Sequence, residues 1–562
     1  MPHDISLIST IAAGLGLALI LGYGAVRLGL PALVGYLLAG IAIGPATPGF
    51  VADVALAGQL AEIGVMLLMF GVGLHFSLAD LLAVRRIALP GAVVQIGVAT
   101  LLGMGAASLW GWSLAAALIF GLALSVASTV VLLRALESQG AVESENGRIA
   151  VGWLVVEDLV MVLVLVLLPP LAGVLSGSAA GDGEVWRALA MTLGQVAAFV
   201  VLMLVGGRKF FPHLLWMVAR TGSRELFTLC VVAAALGIAF GAAKLFGVSF
   251  ALGAFFAGMV LRESDLSYRA AHETLPLRDA FAVLFFVSVG MLFDPAILLA
   301  EPLRVLTVVA IILVGKSIAA AVLVLAFRYP LNTALTVAAS LAQIGEFSFI
   351  LAGLGVALGV LPVEGQSLIL AGALISIACN PVVFRAIAPL QAALAARGGQ
   401  AAWLARRQDP LAELPASTDS RYLAGQVVLV GQGRLGARVA QALTGAGLPF
   451  VVAEQDREKV EKLRARGLAA VCGDAALPAV LIQAHIARAA LLVITVPDPV
   501  AVRPMVEAAR ALNPEVKVLA RALGSQEAGA LGGLGVERVF VAEEELAGAV
   551  IRQILAEMMV RP

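Results

Sequence analysis

The sequence predicts a polytopic α-helical membrane protein followed by a C-terminal α/β domain of the Rossmann type. Of its 562 residues, 61% are hydrophobic and only 13% are charged, whereas soluble domains are about 45–50% apolar and about 25% charged. The mean hydropathy of +1.01 agrees with a chain that lies mostly in lipid. From about residue 425 the pattern changes to short apolar strands that alternate with helices, which is typical of a soluble α/β domain. A net charge of zero gives no indication of nucleic-acid binding.

These changes in composition divide the chain into three regions. Residues 1–395 form the predicted membrane domain, 396–424 a polar linker, and 425–562 the predicted nucleotide-binding domain. The N-terminus MPHDIS lacks a basic segment before the first apolar run. We therefore expect that run to be a retained membrane span and not a removed signal peptide.

We expect thirteen membrane spans, since a span needs about 20 apolar residues. Two of them, the second and the ninth, are short. Two six-span halves on either side of the seventh span are typical of the inverted repeats of secondary transporters, whose sites lie near the bilayer midplane on discontinuous helices. The predicted spans are centred near residues 16, 38, 66, 98, 125, 158, 195, 235, 254, 285, 314, 346 and 377.

The charged residues of the loops predict the orientation of the chain. Basic loop residues mark the cytoplasmic side of a membrane protein. One set of loops and span ends is rich in Arg and Lys, whereas the other has little beyond Arg187, Lys244 and Arg304. We therefore expect the N-terminus outside and the C-terminal domain in the cytoplasm. The basic set consists of Arg27, Arg85, Arg86, Arg134, Arg148, Arg208, Lys209, Arg220, Arg224, Arg262, Arg269, Arg278, Arg328 and Arg385.

Two spans carry polar segments that predict a break in the helix. The fifth contains residues 125–129 (SVAST), which include Ser125, Ser128 and Thr129. The twelfth contains residues 343–346 (QIGE), at the corresponding position of the second half. Hydroxyl and amide side chains can satisfy the backbone groups that such a break exposes. The alternative is that these side chains only pack against neighbouring helices.

The strongest candidate site is the sixth span, which carries Glu157 and Asp158 near its middle. A charge at the bilayer centre costs about 2.5–3.5 kcal/mol on insertion scales, so ionisable residues there usually mark an ion or proton path. Lys316, in the eleventh span, is the expected partner of one of the two carboxylates, while the other stays open for an ion. A purely structural ion pair is the alternative. For Glu62 and Glu346 we favour structural hydrogen bonding over ion binding.

The C-terminal domain begins with a nucleotide-binding pattern. A strand at 426–430 precedes the loop GQGRLG at 431–436, and a helix follows; the next strand ends in an acid about 18 residues further on. Strand, glycines, helix and acid in this order are typical of a dinucleotide-binding fold, with the phosphates at the helix N-terminus and the acid on a ribose. An empty Rossmann fold that serves only dimerisation is the alternative. The predicted ligand contacts are Gly431, Gln432, Gly433, Arg434, Leu435, Gly436, Glu454, Gln455, Gly473, Asp474 and Ala475.

Several of these segments resemble the monovalent cation:proton antiporter-2 family. They are LGLPALVGYLLAGIAIGP at 28–45, AEIGVMLLMFGVGL at 61–74, and the runs LALSVASTVVLLRAL, VEDL and LAQIGEFSFIL. The chain is most similar to the Kef-type branch, and its Glu-Asp pair to the YbaL-like members. The resemblance implies a dimerisation part, a core part that moves like an elevator, and an ion site at Asp158. It also implies that Lys316 pairs with Glu157, a position that is often Gln in Kef-type proteins.

The C-terminal domain is similar to the N-terminal domain of potassium-transport regulators, known as the RCK N-terminal or TrkA-N domain. That resemblance implies dimerisation and a nucleotide such as NAD(H), AMP or ATP as a regulatory ligand. Kef-type relatives are also held shut by glutathione. The residues that follow Arg521 depart from their pattern, so the resemblance does not carry glutathione gating over to this chain.

These features together predict a secondary active antiporter and not an enzyme. It would exchange a monovalent cation, K⁺ in preference to Na⁺, for protons across the bacterial inner membrane as a homodimer, under control of a nucleotide on its cytosolic domain. A ligand-gated cation channel is the alternative, although the chain lacks the TVGYG filter of potassium channels. A membrane-anchored NAD-dependent dehydrogenase fits less well, because no acid–base group is evident beside the glycine loop.

Overall fold

A computed structural model describes most of the chain: residues 6–75, 78–137, 144–175, 182–264, 266–396, 411–415, 418–496, 499–522 and 524–559. It separates into two compact units, one built mainly from residues 1–397 and the other mainly from residues 398–562. Most of the predicted linker lies outside the described residues.

The first unit is entirely helical in its described part. Two five-residue π-helical segments, Met203–Gly207 and Ile311–Gly315, join α8 to α9 and α14 to α15. The helices are α1 Ser6–Arg27, α2 Ala32–Ile43, α3 Val54–His75, α4 Leu78–Leu109, α5 Leu114–Ser125, α6 Thr129–Glu137, α7 Glu145–Leu175, α8 Asp182–Leu202, α9 Arg208–Ala219, α10 Arg224–Phe246, α11 Phe250–Arg262, α12 Ser267–Met291, α13 Ile297–Ala300, α14 Pro302–Ala310, α15 Lys316–Ala326, α16 Leu331–Leu341, α17 Glu346–Ala357, α18 Val363–Arg385 and α19 Ile387–Ala396.

The apolar helices agree with the predicted polytopic fold. Within the described residues, ten helical stretches are long and apolar enough to cross a membrane, or up to eleven if the bent pair α16–α17 is one span. Two shorter apolar helices, α2 and α11, have 12 and 13 residues and occupy the predicted second and ninth positions. A multi-span membrane protein is therefore confirmed.

Helices α1, α2, α3, α10, α11 and α12 pack together into what we call the scaffold bundle. Its helices approach each other at two glycine pairs. Gly40 of α2 faces Gly290 of α12, and Gly73 of α3 faces Gly258 of α11. A Cβ atom on any of the four would collide with a carbonyl oxygen of the opposite helix. Small residues let helix backbones approach closely in membranes, where packing drives association.

An internal repeat is visible in this bundle. Residues 35–40 read GYLLAG in α2, and residues 253–258 read GAFFAG in α11. Helix α2 packs on α12, and α11 packs on α3. Two halves related by a two-fold axis would exchange partners in this way, so the packing supports the predicted inverted repeat.

Helices α4–α6 and α14–α18 pack together, and α7 joins them through hydrogen bonds of Glu157 and Asp158 to residues 127 and 129; we call this second group the core bundle. Its fifth and twelfth spans are broken. Residues 126–128 interrupt the fifth between α5 and α6, and residues 342–345 interrupt the twelfth between α16 and α17, which are bent by 41°. Both breaks fall on the predicted polar segments, so the discontinuous helices are confirmed.

The second unit is a doubly wound α/β domain. Its described residues form one parallel sheet of six strands in the order β3-β2-β1-β4-β5-β6, and β1 at its centre pairs through Val428 with Val451 and Leu492. The strands are β1 Val427–Val430, β2 Phe450–Glu454, β3 Ala470–Cys472, β4 Leu491–Ile494, β5 Lys517–Ala522 and β6 Arg538–Val541. The helices are α20 Arg434–Gly445, α21 Arg457–Ala465, α22 Pro478–Gln483, α23 Pro499–Leu512, α24 Ser525–Gly532 and α25 Ala542–Met559, with 3₁₀ turns at Ser420–Tyr422 and Ile486–Arg488.

The strand order defines where such a domain binds its ligand. Because the direction of winding reverses between β1 and β4, a crevice opens at the carboxyl ends of these two strands. The loop that follows β1 lies at this edge and holds the predicted glycine pattern. The Rossmann-type fold predicted from the sequence is therefore confirmed.

Candidate functional site

The two broken helices of the core bundle cross at Gly345 and Ser128. A Cβ atom on Gly345 would lie 2.5 Å from the Cα atom and 2.8 Å from the backbone nitrogen of Ser128. Only a glycine fits there, because the obstacle is backbone and cannot rotate away. Two extended segments from opposite halves of the chain are thus in direct contact inside the core bundle.

The side chain of Gln343 holds the crossing together. Its Oε1 accepts a hydrogen bond from the Ser128 backbone N–H at 2.9 Å, and its Nε2 donates to the Ser128 carbonyl at 3.1 Å and to the Ser340 carbonyl at 3.3 Å. One amide side chain therefore satisfies both backbone groups of a residue in the other break. This is the interhelical role that the amide chemistry of a buried Gln favours in a membrane.

Four helix ends meet at the crossing, and polar side chains lie at two of them. Helices α5 and α16 end there, whereas α6 and α17 begin there. Gln95 Nε2 donates to the Ser125 carbonyl at 2.9 Å, and Lys316 Nζ donates to the Gln343 carbonyl at 3.0 Å. These donors suit the partial negative charge of a helix C-terminus, and the two helix N-termini suit nearby carboxylates.

Glu157 and Asp158 of α7 both contact the first break. The backbone N–H of Ala127 donates to Glu157 Oε2 at 2.9 Å, and Thr129 Oγ1 donates to Asp158 Oδ2 at 3.0 Å. Consecutive helical residues point about 100° apart, yet both reach the break, because they contact it at residues two positions apart. Glu157 is 0% exposed and Asp158 is 5% exposed.

Lys316, which is 0% exposed, was predicted to pair with one of these carboxylates. Its charge is near enough to interact with that of Glu157. Among the described residues, however, no oxygen–nitrogen ion pair within 4.0 Å joins the two side chains, and the hydrogen bond of Lys316 goes to Gln343. The structure thus places Lys316 in the site without a direct contact to Glu157.

A third carboxylate, Glu346, also lies at the crossing. It is the first residue of α17 and 1% exposed, and Ser128 Oγ donates to its Oε2 at 3.0 Å. The favoured prediction assigned it structural hydrogen bonding. One sequence signal could have indicated Glu346 as a site residue. When the two breaks are aligned at Ser128 and Gly345, Glu346 corresponds to Thr129.

Several oxygens at the crossing have no hydrogen-bond partner within the described part of the chain. Buried polar atoms without a partner are rare in native proteins, and a bound water, a bound ion or a catalytic role can each explain them. Ser125 is not among these atoms, because its hydroxyl donates to the Leu122 carbonyl at 2.7 Å. The unpartnered oxygens are Glu157 Oε1, Asp158 Oδ1, Glu346 Oε1, Ser340 Oγ and Ser348 Oγ.

Charge counting indicates what this site can do. Three buried carboxylates and one ammonium leave an excess of negative charge whenever all four groups are ionised. A buried charge without compensation is very costly. Protons or bound monovalent cations can supply the missing positive charge, and either can replace the other. That these residues bind the transported ion stays a prediction.

The second unit contains the glycine loop in the conformation that a phosphate site needs. Gly431, directly after β1, has φ of +91°, and a Cβ atom on Gly436 would collide with the Gly431 carbonyl oxygen. Gly433 precedes α20 and has no side chain to cap it, and a Cβ atom there would meet no described atom within 4 Å. No side chain of the N-cap residue thus occupies the start of α20, where the N-terminal amides of a helix can bind a phosphate.

The acid at the end of β2 fixes this loop. Glu454 accepts a hydrogen bond from the Gln432 N–H through Oε2, and one from the Asp456 N–H through Oε1 at 3.0 Å. Its backbone carbonyl accepts from the Gly473 N–H at 3.0 Å, which brings the loop after β3 beside it. The predicted contacts 431–436, 454–455 and 473–475 thus lie at one edge of the sheet, so the residues fit a nucleotide.

Within that group, the side chains have different surroundings. Asp474 Oδ1 accepts from the Ala476 N–H at 2.9 Å and so shapes its own turn. Arg434 and Leu435 are exposed on the first turn of α20. The backbone carbonyl of Gln455 accepts a hydrogen bond from Cys472 Sγ at 3.7 Å.

Crossed broken helices with buried carboxylates, on an inverted repeat, define a secondary ion transporter that carries a Rossmann-type domain. Residues 15–389 match the family described as sodium/hydrogen exchanger, transmembrane, and residues 427–542 match the TrkA-N domain. The chain belongs to this sodium/hydrogen exchanger family. This confirms the resemblance seen in the motifs, and it confirms that the protein is a transporter and not an enzyme.

Comparisons with individual proteins agree. The chain is 53% identical over 547 residues to the putative cation/proton antiporter YbaL of Escherichia coli (strain K12), covering 97% of both chains. It is 30% identical to the glutathione-regulated potassium-efflux system protein KefC of Cronobacter sakazakii, over 89% of this chain and 77% of that one. The solved sodium proton antiporter MjNhaP1 of Methanocaldococcus jannaschii is similar over 71% of this chain and 99% of its own, with a TM-score of 0.51 at 15% identity, which bears on the fold alone.

Proposed function

We propose that this protein is a secondary active antiporter that exchanges a monovalent cation for protons at the crossing of its two broken helices. The observation that carries the proposal is the position of Asp158. Its Oδ2 is held by Thr129, while its Oδ1 is buried and has no partner in the described part of the chain. An acid in this position is available to a proton or to a cation.

Competition at Asp158 would couple the two fluxes. The carboxylate holds either a proton or a dehydrated cation, and the site opens to one side of the membrane at a time. A cation that enters from one side must then leave before a proton can take its place, so the ions move in opposite directions. Glu157, Ser128 and Thr129 supply further oxygens around the same break, and Ser125 supports it through its carbonyl.

We favour K⁺ over Na⁺ as the transported cation. The support is the 30% identical relative from Cronobacter sakazakii, which is named a potassium-efflux system. Oxygen ligands bind both ions, so the site chemistry alone does not choose between them. Glutathione is not part of the proposal, since the sequence after Arg521 departs from the Kef-type pattern.

The C-terminal domain would regulate the exchange by binding a nucleotide, with NAD(H), AMP and ATP as the candidates. Support comes from the left-handed Gly431, the open space at Gly433 and the acid Glu454 at one sheet edge. When bound, the nucleotide would place its phosphates at the start of α20 and a ribose near Glu454.

We further propose a homodimer in the bacterial inner membrane, with the N-terminus outside and the C-terminal domain in the cytoplasm.

The proposal is tested with purified protein in liposomes that contain a pH-sensitive dye. Addition of K⁺ or Na⁺ outside should release protons from acid-loaded vesicles, with saturation at high cation concentration, and K⁺ should act at lower concentrations than Na⁺. Nucleotides added on the side of the C-terminal domain should change the rate. Cation flux without coupled proton movement would point to a channel and overturn the proposal.

A further inference from the structure

We propose that Glu346 supplies the second carboxylate of the cation site, so that the transported ion lies between Asp158 and Glu346. This inference rests on the exchange proposed above and names a ligand of the same site. It departs from the structural role that its sequence context favours. Three observations carry it: the anchoring of the two acids, their free oxygens and the symmetry of the two breaks.

The two acids are anchored by neighbouring hydroxyl groups. Thr129 Oγ1 donates to Asp158 Oδ2, and Ser128 Oγ donates to Glu346 Oε2, each at 3.0 Å. Because Ser128 and Thr129 are consecutive at the start of α6, both carboxylates converge on the same turn of backbone. Their charges are near enough to interact directly. Each acid therefore has one oxygen fixed at the N-terminus of α6.

The remaining oxygens have the surroundings of ion ligands. Asp158 Oδ1 and Glu346 Oε1 are buried, and neither has a hydrogen-bond partner among the residues described. Asp158 is 5% and Glu346 1% exposed. A hydrogen bond to one oxygen fixes the orientation of a carboxylate and leaves the other for a ligand. A monovalent cation between two such oxygens would compensate both charges in part.

The symmetry of the crossing explains why an acid stands at this place. When the breaks are aligned at Ser128 and Gly345, Thr129 of α6 corresponds to Glu346 of α17, and each is the first residue of its helix. The N-terminus of a helix favours a negative side chain. The first half of the repeat thus places a hydroxyl at its helix start, and the second half places a carboxylate.

The other charged groups near Glu346 have hydrogen bonds or ion pairs with other residues. Glu157 accepts from the Ala127 N–H, and Lys316 donates to the Gln343 carbonyl. On α18, which packs against α17, Glu364 is paired with Arg304 near the start of the helix. Glu157 lies at the same crossing, but its fixed oxygen is bound by Ala127, whereas Asp158 and Glu346 are the two acids anchored by the adjacent hydroxyls of Thr129 and Ser128.

The test compares Glu346→Gln with wild type in proteoliposomes, over a range of cation concentrations. Glutamine keeps the volume of the side chain and an acceptor for Ser128, so a purely structural Glu346 would leave exchange unchanged. If Glu346 binds the cation, we expect the cation concentration for half-maximal exchange to rise at least tenfold, or exchange to stop in a folded protein. Glu62→Gln, the same change at an exposed position of α3, is the matched control and should behave as wild type.

Two further measurements keep the inference falsifiable. Glu346→Asp retains the carboxylate and should restore part of the cation affinity that Glu346→Gln loses. If the Gln variant does not fold, the Asp variant is compared with wild type instead. An unchanged cation concentration for half-maximal exchange would then count against the proposal. If exchange by Glu346→Gln and by wild type depends equally on cation concentration, Glu346 is not a ligand, and the proposed exchange itself still stands. Absence of cation-driven proton flux in the wild type would overturn the proposed exchange itself.

Discussion

Lys316 Nζ donates a hydrogen bond of 3.0 Å to the carbonyl oxygen of Gln343, just beyond the C-terminal end of α16. The buried ammonium therefore stabilises a helix end that the break exposes. In the other half, Gln95 does the same for the Ser125 carbonyl with a neutral amide. Each break thus has a buried side chain that donates to an exposed carbonyl, but only the donor at the second break, Lys316, is charged.

The charge of Lys316 should be coupled to that of Glu157. Lys316→Met removes a buried cation, so the Gln343 carbonyl loses its donor and the buried Glu157 charge is left uncompensated; an uncompensated buried charge typically costs about 3–5 kcal/mol. We expect a clear fall in melting temperature in detergent. In Glu157→Gln/Lys316→Met the carboxylate is neutral too, so part of the loss should be recovered. If the double variant is as unstable as the sum of the single ones, the two charges are independent.

Asp158→Asn should abolish exchange without loss of folding. Asparagine has the size of aspartate and can still accept the hydrogen bond from Thr129, but it cannot exchange a proton for a cation. Proton flux driven by a cation gradient in liposomes should fall to the level of empty vesicles, while the melting temperature stays near that of wild type. Asp279→Asn, at an exposed position of α12, should retain exchange. Normal exchange by the Asp158 variant would place the ion elsewhere.

Gly345→Ala should disrupt the crossing. The added methyl group would meet the backbone of Ser128 at 2.5–2.8 Å, and overpacking of this kind costs about 1–3 kcal/mol. We expect a lower melting temperature and weak exchange. Gly353→Ala, within α17 that follows the break, is the control, since its nearest neighbour would be 4.0 Å away. Because Ala favours a helix over Gly by about 1 kcal/mol, the control should be as stable as wild type or more so.

Gly73→Ala should destabilise the scaffold bundle. The new methyl group would collide with the Phe255 carbonyl, and it would lie 2.9 Å from the Met259 backbone nitrogen. Gly58→Ala lies in the same helix α3, and its methyl group would meet no described atom within 4 Å. Melting curves of the two variants should separate by several degrees. Equal stability would mean that α3 and α11 are not in backbone contact.

Glu454→Gln should weaken nucleotide binding to the full-length protein. The carboxylate is expected on a ribose, and charged hydrogen bonds are roughly twice as strong as neutral ones. We expect at least tenfold weaker binding by titration of NAD(H), AMP and ATP. Glu537→Gln, on an exposed residue paired with Lys517, should bind as wild type does. Unchanged binding by the Glu454 variant would exclude this acid as the ribose acceptor, whereas absence of binding by wild type would favour a domain that serves dimerisation only.

Much of the fold follows from local sequence. The breaks fall where SVAST and QIGE interrupt apolar runs, because hydroxyl and amide side chains can serve exposed backbone groups. The short helices α2 and α11 and the strands of the sheet likewise agree with expectation. Each of these signals lies within one element, so no knowledge of distant contacts is needed to read it.

The contacts of the site could not be predicted in the same way. Gln343 hydrogen-bonds to the backbone of Ser128 from 215 positions away in the chain. The sequence around either residue gives no indication that the two are partners. Charge alone predicts a carboxylate as the partner of Lys316, whereas the hydrogen bond goes to the carbonyl that the broken helix exposes at Gln343. The π-helical segment Ile311–Gly315 just before Lys316 adds a register shift that an apolar run does not reveal.

The glycine pairs Gly40–Gly290 and Gly73–Gly258 have a mechanical consequence. Helices in backbone contact cannot slide past each other without steric overlap, so the scaffold bundle has few internal degrees of freedom. In the exchange proposed above, we therefore expect the displacement that carries the ion to be a movement of the core bundle relative to the scaffold bundle, with hinges in the segments that connect the two.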